Sequence, residues 1–149
     1  MRFSSKDFSQ IKANPQPNKI LASRLICRRR KNKVSTPFSK ERGHRVRIID
    51  LPTHTLSVTI GYLKKGQSTH RHRHNYETVL YVVRGKGVSS IGDQRVSWQK
   101  GDAIYVPAMA WHSHSNEGNV EVEYVACENA PLLQNLGGIA VREEFKENL

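Results

Sequence analysis

Between residues 44 and 127 apolar and polar positions alternate in short runs, and turn-forming residues separate most of them. Leu56 to Leu63 contains Ser57-Val58-Thr59-Ile60, and Val120 to Cys127 reads Val-Glu-Val-Glu-Tyr-Val-Ala-Cys. Glu77 to Arg84 is rich in β-branched residues, which suit a pleated, half-buried surface. A period of two places alternate side chains on opposite faces, so these runs predict strands with one face in a core. His44 to Ile49, Val88 to Ile91, Gln94 to Trp98 and Ala103 to Val106 complete the set. Gly92-Asp93 predicts a hairpin, and Lys64–Gln67 and Lys100–Asp102 predict turns. Many short strands with little helix predict an all-β fold, an antiparallel barrel or double-sheet jelly roll. Trp98, Trp111, Met109, Tyr62 and Tyr81 are expected to line or support it, with Trp111 the best placed for a pocket.

The flanks read differently. Residues 1–43 carry Pro15, Pro17, Pro37 and the run Arg28-Arg29-Arg30-Lys31-Asn32-Lys33, and predict a basic, partly extended arm. Only Ile20 to Cys27 could pack there, as a short strand or helical turn. Residues 44–128 form the expected barrel. Residues 129–149 form a tail that packs on it, with a short helix or loop after Pro131 and an extended piece near Gly138–Val141.

The length of 149 residues suits one domain with a real core. The net charge of +11 is uneven: fourteen of the 24 Lys and Arg precede Asp50, against Asp7 and Glu41. The basic character therefore belongs to the arm and leaves the rest near neutral. Few aromatics interleave the arm (Phe3, Phe8, Phe38), so base stacking is poorly supported and a nucleic-acid partner is not expected. Attraction of an anionic ligand, or a strand added to a second subunit, are the functional readings of the arm; a solvated extension is the plain one. Two cysteines, Cys27 and Cys127, do not make a disulfide scaffold and fit a reduced cytoplasm. No apolar run approaches the roughly twenty residues of a membrane span, and the first residues do not read as a signal peptide.

Five of the seven histidines fall in two short stretches, His70-Arg71-His72-Arg73-His74 and His112-Ser113-His114. Imidazoles at i, i+2 on a strand face one way, so two of them can hold one ion and a third from another strand can close a triangle.

Gly66-x5-His72-x-His74, followed by Glu77 to Val83 and Gly85, resembles the first motif of the cupin superfamily. Gly101-x5-Pro107 and His112-x3-Asn116 resemble the second. The resemblance implies a double-stranded β-helix. Counting from either Gly66 or Gly85 places the histidine pair at His72 and His74, with Thr78 in the slot where many cupins hold a glutamate ligand. The pair His70 and His72 is the alternative, and would bring Glu77 to the longer motif spacing. With Thr78 facing in, Glu77 faces out as the partner of a positive group; a bulge would reverse that and make Glu77 a ligand or catalytic carboxylate. Met109 stands where the second motif usually has glycine, so the loop either avoids positive φ there or holds it at a cost.

The second stretch also looks like that of gentisate-type ring-cleaving dioxygenases, which use three histidines and lack the glutamate. That implies His72, His74 and His112 as neutral ligands of one divalent ion, Fe(II) by resemblance, with Mn(II), Zn(II) or Ni(II) as alternatives, and with open positions for substrate and dioxygen. His114 is then either an acid/base group beside the ion or a hydrogen-bonding neighbour. The expected function is oxygen-dependent oxidation or cleavage of a small aromatic, hydroxy or keto acid; isomerase, lyase and hydrolase chemistry fit the same ligands. The alternative is a non-catalytic, metal-containing binding or regulatory cupin. A storage cupin is a weaker third class. Small cupins commonly pair, so a homodimer with residues 18–35 near its interface is expected.

Overall fold

The structure is a computed structural model and describes residues 19–28 and 36–146. Much of the basic arm, including the cluster Arg29-Arg30-Lys31-Asn32-Lys33, lies outside the described residues.

Among the described residues, ten strands form two five-stranded sheets in which every strand pair is antiparallel. The strands are β1 (Arg45–Ile48), β2 (Ser57–Leu63), β3 (His72–His74), β4 (Thr78–Arg84), β5 (Lys86–Ile91), β6 (Gln94–Gln99), β7 (Ala103–Val106), β8 (His112–Ser115), β9 (Val122–Glu128) and β10 (Arg142–Glu144). One sheet has the order β1-β2-β9-β4-β7 and the other β10-β3-β8-β5-β6. This is the jelly-roll architecture that the alternating runs predict. The extended piece expected near residues 138–141 forms slightly later, as β10, because its partner is β3: Arg142 pairs with His74 and Glu144 with His72.

The alternation becomes burial. On β4, Thr78, Leu80 and Val82 point inward while Val79, Tyr81 and Val83 are exposed. On β9, Val122, Tyr124 and Ala126 point inward. Leu63, Leu80, Val82, Trp98, Ile104, Val106, Val122, Tyr124 and Ala126 form the core cluster. Of the aromatics expected to support the barrel, Trp98 does so. Tyr81 is corrected to the outer face because it shares the parity of Val79 and Val83. Tyr62 lies under the Arg45 guanidinium, and Trp111 meets Phe145 edge-on beneath the Arg73 guanidinium. Met109 is half-exposed and holds φ 64°, so this loop takes the strained alternative.

Two cross-strand pairs shape the interior. Tyr124 lies opposite Gly61 and Trp98 opposite Gly87. A Cβ on Gly61 would stand 2.2 Å from Tyr124 Cζ, and one on Gly87 2.5 Å from Trp98 Cη2. Each ring therefore lies across bare backbone, which only glycine permits.

Within the segment read as an extended arm, Thr36–Arg42 forms a helix, α1. Ser39 Oγ ties it to β1, donating to Val46 O at 3.1 Å and accepting from Val46 N–H at 2.9 Å. Residues 22–24 form a single 3-10 turn with no buried residue. After the barrel, Ala130–Asn135 form a second helix, α2. No helix of the described residues is long and apolar enough to cross a membrane.

Candidate metal centre

The interior of the barrel brings His72, His74 and His112 together. His72 and His112 are register partners across β3 and β8, and His74 lies two residues along β3 on the same face. One ring nitrogen of each lies within 4.8 Å of the others. The His72 and His112 ring centroids are 4.1 Å apart, and those of His74 and His112 4.8 Å. All three side chains are buried.

Each ring is held by its Nδ1. His72 Nδ1 reaches His70 O at 2.8 Å, His74 Nδ1 reaches Tyr76 O at 2.7 Å, and His112 Nδ1 reaches Ala110 O at 2.8 Å. A carbonyl can only accept, so each Nδ1 carries the proton and donates it, and each Nε2 is left with a free lone pair. Tyr76 stacks flat on His74, with centroids 3.9 Å apart. Burial holds His72 down to about 2, with His112 adding to the effect, and holds His74 down to about 4; it lowers His112 as well. Three neutral imidazoles with fixed orientation and free lone pairs are the donor set that a divalent ion takes, and the residues present fit one.

The remaining candidates fall in different places. Glu77 is exposed on the outer face, where its Oε1 accepts a hydrogen bond from Tyr105 OH at 2.5 Å. Thr78 faces in, as the glycine counts require, so Glu77 is corrected to a surface partner of Tyr105. His70 is exposed and its ring packs beside Gly43, away from the triangle. His114 does line the interior: its ring centroid is 5.6 Å from that of His112, and burial holds it down to about 3.

Sequence reasoning missed several groups around the histidines. The inner chamber is small, about 60 Å³, and Arg42, Arg142, Glu128, His44 and Tyr124 also line it. His44 Nδ1 donates to Arg42 O at 2.9 Å, so Nε2 accepts from Tyr124 OH at 2.7 Å. Glu128 lies opposite Thr78, whose Oγ1 donates to it at 3.4 Å, and burial pushes its carboxyl above the usual range. Arg42, Arg142 and Glu128 also line an outer cavity of about 590 Å³ bordered by α1, α2 and the segment before β10. The inward parity of Glu128 was legible on β9; α1, which brings Arg42, was not, nor was the pairing of β10 with β3 that brings Arg142.

Residues 60–127 match the Cupin domain family. The barrel has the cupin fold. Among curated relatives, this chain is 29% identical over 89 residues to a 1-hydroxy-2-naphthoate 1,2-dioxygenase of Nocardioides sp. (strain KP7), covering 58% of this chain and 23% of that protein. It is 32% identical over 83 residues to a 5-aminosalicylate 1,2-dioxygenase of Comamonas sp., covering 56% and 22%. The chain thus spans under a quarter of the length of these two relatives. Among solved structures, a salicylate 1,2-dioxygenase from Pseudaminobacter salicylatoxidans superposes with a TM-score of 0.63 at 18% identity, covering 70% of this chain and 32% of that one. That likeness is one of fold.

Proposed function

We propose that this cupin is a metal-dependent oxygenase acting on a small organic acid, aromatic or bearing a hydroxy or keto group, with Fe(II) as the favoured ion and Mn(II), Zn(II) or Ni(II) as alternatives. The observation that carries the reading is the set of three buried imidazoles, each with its Nδ1–H fixed on a carbonyl and its Nε2 free. The similarity to 1,2-dioxygenases of aromatic acids supports the reaction class. A divalent ion in such a three-histidine site supplies Lewis-acid and redox chemistry with coordination positions to spare.

The chain's own residues would bind and orient the substrate. Arg42 and Arg142 line both cavities and supply the positive charge that a carboxylate needs, with Arg geometry suited to bidentate recognition. The inner chamber of about 60 Å³ admits only a few atoms, so the body of the substrate would sit in the outer cavity and reach inward with its reacting end. Burial around the histidines keeps bulk water from them. In this reading the protein works in the cytoplasm as a homodimer.

The test is oxygen uptake by protein loaded anaerobically with Fe(II). We expect consumption with at least one of gentisate, salicylate, 5-aminosalicylate, 1-hydroxy-2-naphthoate or a small keto acid, and its loss in His112→Ala. Tight metal binding without oxygen uptake on any of these acids would instead favour a non-catalytic binding cupin.

A further inference from the structure

Five buried histidines line the chamber around the proposed centre, yet only three of them come together as ligands. His44 has both ring nitrogens engaged, on Arg42 O and Tyr124 OH. His114 differs from all the others in what its Nδ1 meets. Its neighbour is a hydroxyl, Ser89 Oγ, at 2.7 Å. Behind Ser89 stands Trp98, whose Nε1–H donates to the same oxygen at 2.8 Å. Register produces this chain: Ser89 lies directly opposite His114 across β5 and β8, and Trp98, on β6, crosses bare Gly87 of β5 to reach it. Ser89 is fully buried and His114 and Trp98 nearly so.

Proton counting then fixes the ring. Indole nitrogen can only donate, so Ser89 Oγ accepts from Trp98. The hydroxyl has one proton of its own, and among the described residues its one acceptor is His114 Nδ1. Were Nδ1 protonated, two N–H groups would converge on Oγ and the buried hydroxyl proton would have no partner, at a cost of about 1–3 kcal/mol. The satisfied arrangement runs Trp98 N–H to Ser89 O–H to His114 Nδ1. It leaves the ring's proton on Nε2, which has no partner among the described residues on the chamber side.

We infer that Ser89, backed by Trp98, is a positioning residue that makes His114 the fixed N–H donor of the chamber, aimed at an acceptor oxygen of the bound acid and unable to ligate the ion. The inference rests on the proposed metal reading for its use, though the tautomer itself does not. His72, His74 and His112 offer lone pairs because carbonyls hold their Nδ1 atoms; His114 offers a proton because a hydroxyl holds its own. The inner chamber therefore selects for a ligand oxygen with lone pairs to spare, a phenolate or a carboxylate.

The tautomer is read directly by long-range proton–nitrogen correlation on metal-free protein carrying 15N-labelled histidine, at neutral pH. We expect an Nε2–H pattern for His114 and Nδ1–H patterns for His72, His74 and His112. Ser89→Ala should convert His114 to Nδ1–H or a mixture, and Ser89→Thr should restore the original pattern. An Nδ1–H pattern for His114 in the unaltered protein overturns the inference, whether or not the variants fold; so does an unchanged His114 pattern in Ser89→Ala. In the second arm Co(II) is titrated into the full chain. His114→Ala should retain affinity within about threefold, while His112→Ala should lose at least about tenfold. Equal losses in the two variants overturn the donor assignment. Full retention in His112→Ala removes the metal reading instead and leaves the tautomer result standing.

Discussion

Replacing Gly61 by alanine would test the interior where it is tightest. The added Cβ would lie 2.2 Å from Tyr124 Cζ, 2.4 Å from its hydroxyl and 2.6 Å from Cε2. The ring has little freedom to yield: it is buried, and its hydroxyl donates to His44 Nε2 at 2.7 Å. Overpacking of this kind costs about 1–3 kcal/mol. If the ring swings clear, the buried His44 nitrogen loses its donor, at about 1–3 kcal/mol more. Removing a strand glycine returns roughly 0.5–1 kcal/mol of chain entropy. The net expectation is a loss of about 2–4 kcal/mol, seen in urea unfolding followed by tryptophan fluorescence. At about 2–4 °C per kcal/mol, the melting temperature should fall by roughly 5–15 °C. Tyr124→Val in the same chain should relieve the clash, so a double-mutant cycle should return a favourable coupling above about 1 kcal/mol. A Gly61→Ala protein within about 0.5 kcal/mol of the original, or additive behaviour in the cycle, would refute the packing argument and with it the placement of Tyr124 at the chamber wall.

Met109→Gly should stabilise the fold by about 1 kcal/mol, since the residue holds φ 64° and its side chain is half-exposed; an unchanged urea midpoint would count against that strain. The metal-free protein should lose stability on acidification. Burial lowers His44, His72, His74, His112 and His114 below 6.5, so below that pH the unfolded chain binds more protons than the fold. Stability should fall below about pH 6.5 and still be falling at about pH 4, since His72 is held to about 2 and His114 to about 3, by at most about 1.4 kcal/mol per pH unit for each histidine, and stay flat above. The raised Glu128 carboxyl favours the fold in acid and opposes this, as one group against five; equal urea midpoints at pH 7.5 and 5 would contradict the burial of the histidines. The outer face of β4 and β7 exposes Val79, Tyr81, Val83 and Tyr105, and β7 is an edge strand, a surface suited to a second copy. Light scattering should give a dimer at micromolar concentration that Tyr81→Lys dissociates, and a monomeric parent protein would remove the expectation.

What the chain discloses in sequence is what repeats every two residues. Thr78, Leu80 and Val82 on one face and Val79, Tyr81 and Val83 on the other are fixed by alternation alone, and so is the shared face of His72 and His74. The glycine counts favour His72 and His74 over the pair His70 and His72, but the outward turn of Glu77 onto Tyr105 stays open until the strands are placed. The helix at Thr36–Arg42 escapes notice because its seven residues follow a run of basic and polar ones, and its anchor is tertiary, a serine hydroxyl on the backbone of β1. Arg42 and Arg142 reach the interior only through α1 and β10, so no local pattern announces them. The chemical character of His114 is further still from local pattern. His112 and His114 sit two residues apart on the same strand and face, yet Ala110 O holds one and Ser89 Oγ the other. The difference between an acceptor and a donor behind Nδ1 decides which ring presents a lone pair and which a proton. That choice depends on Ser89 facing His114 across a ladder and on glycine at 87 letting Trp98 pass. It is a property of the sheet, visible only once the strands are paired.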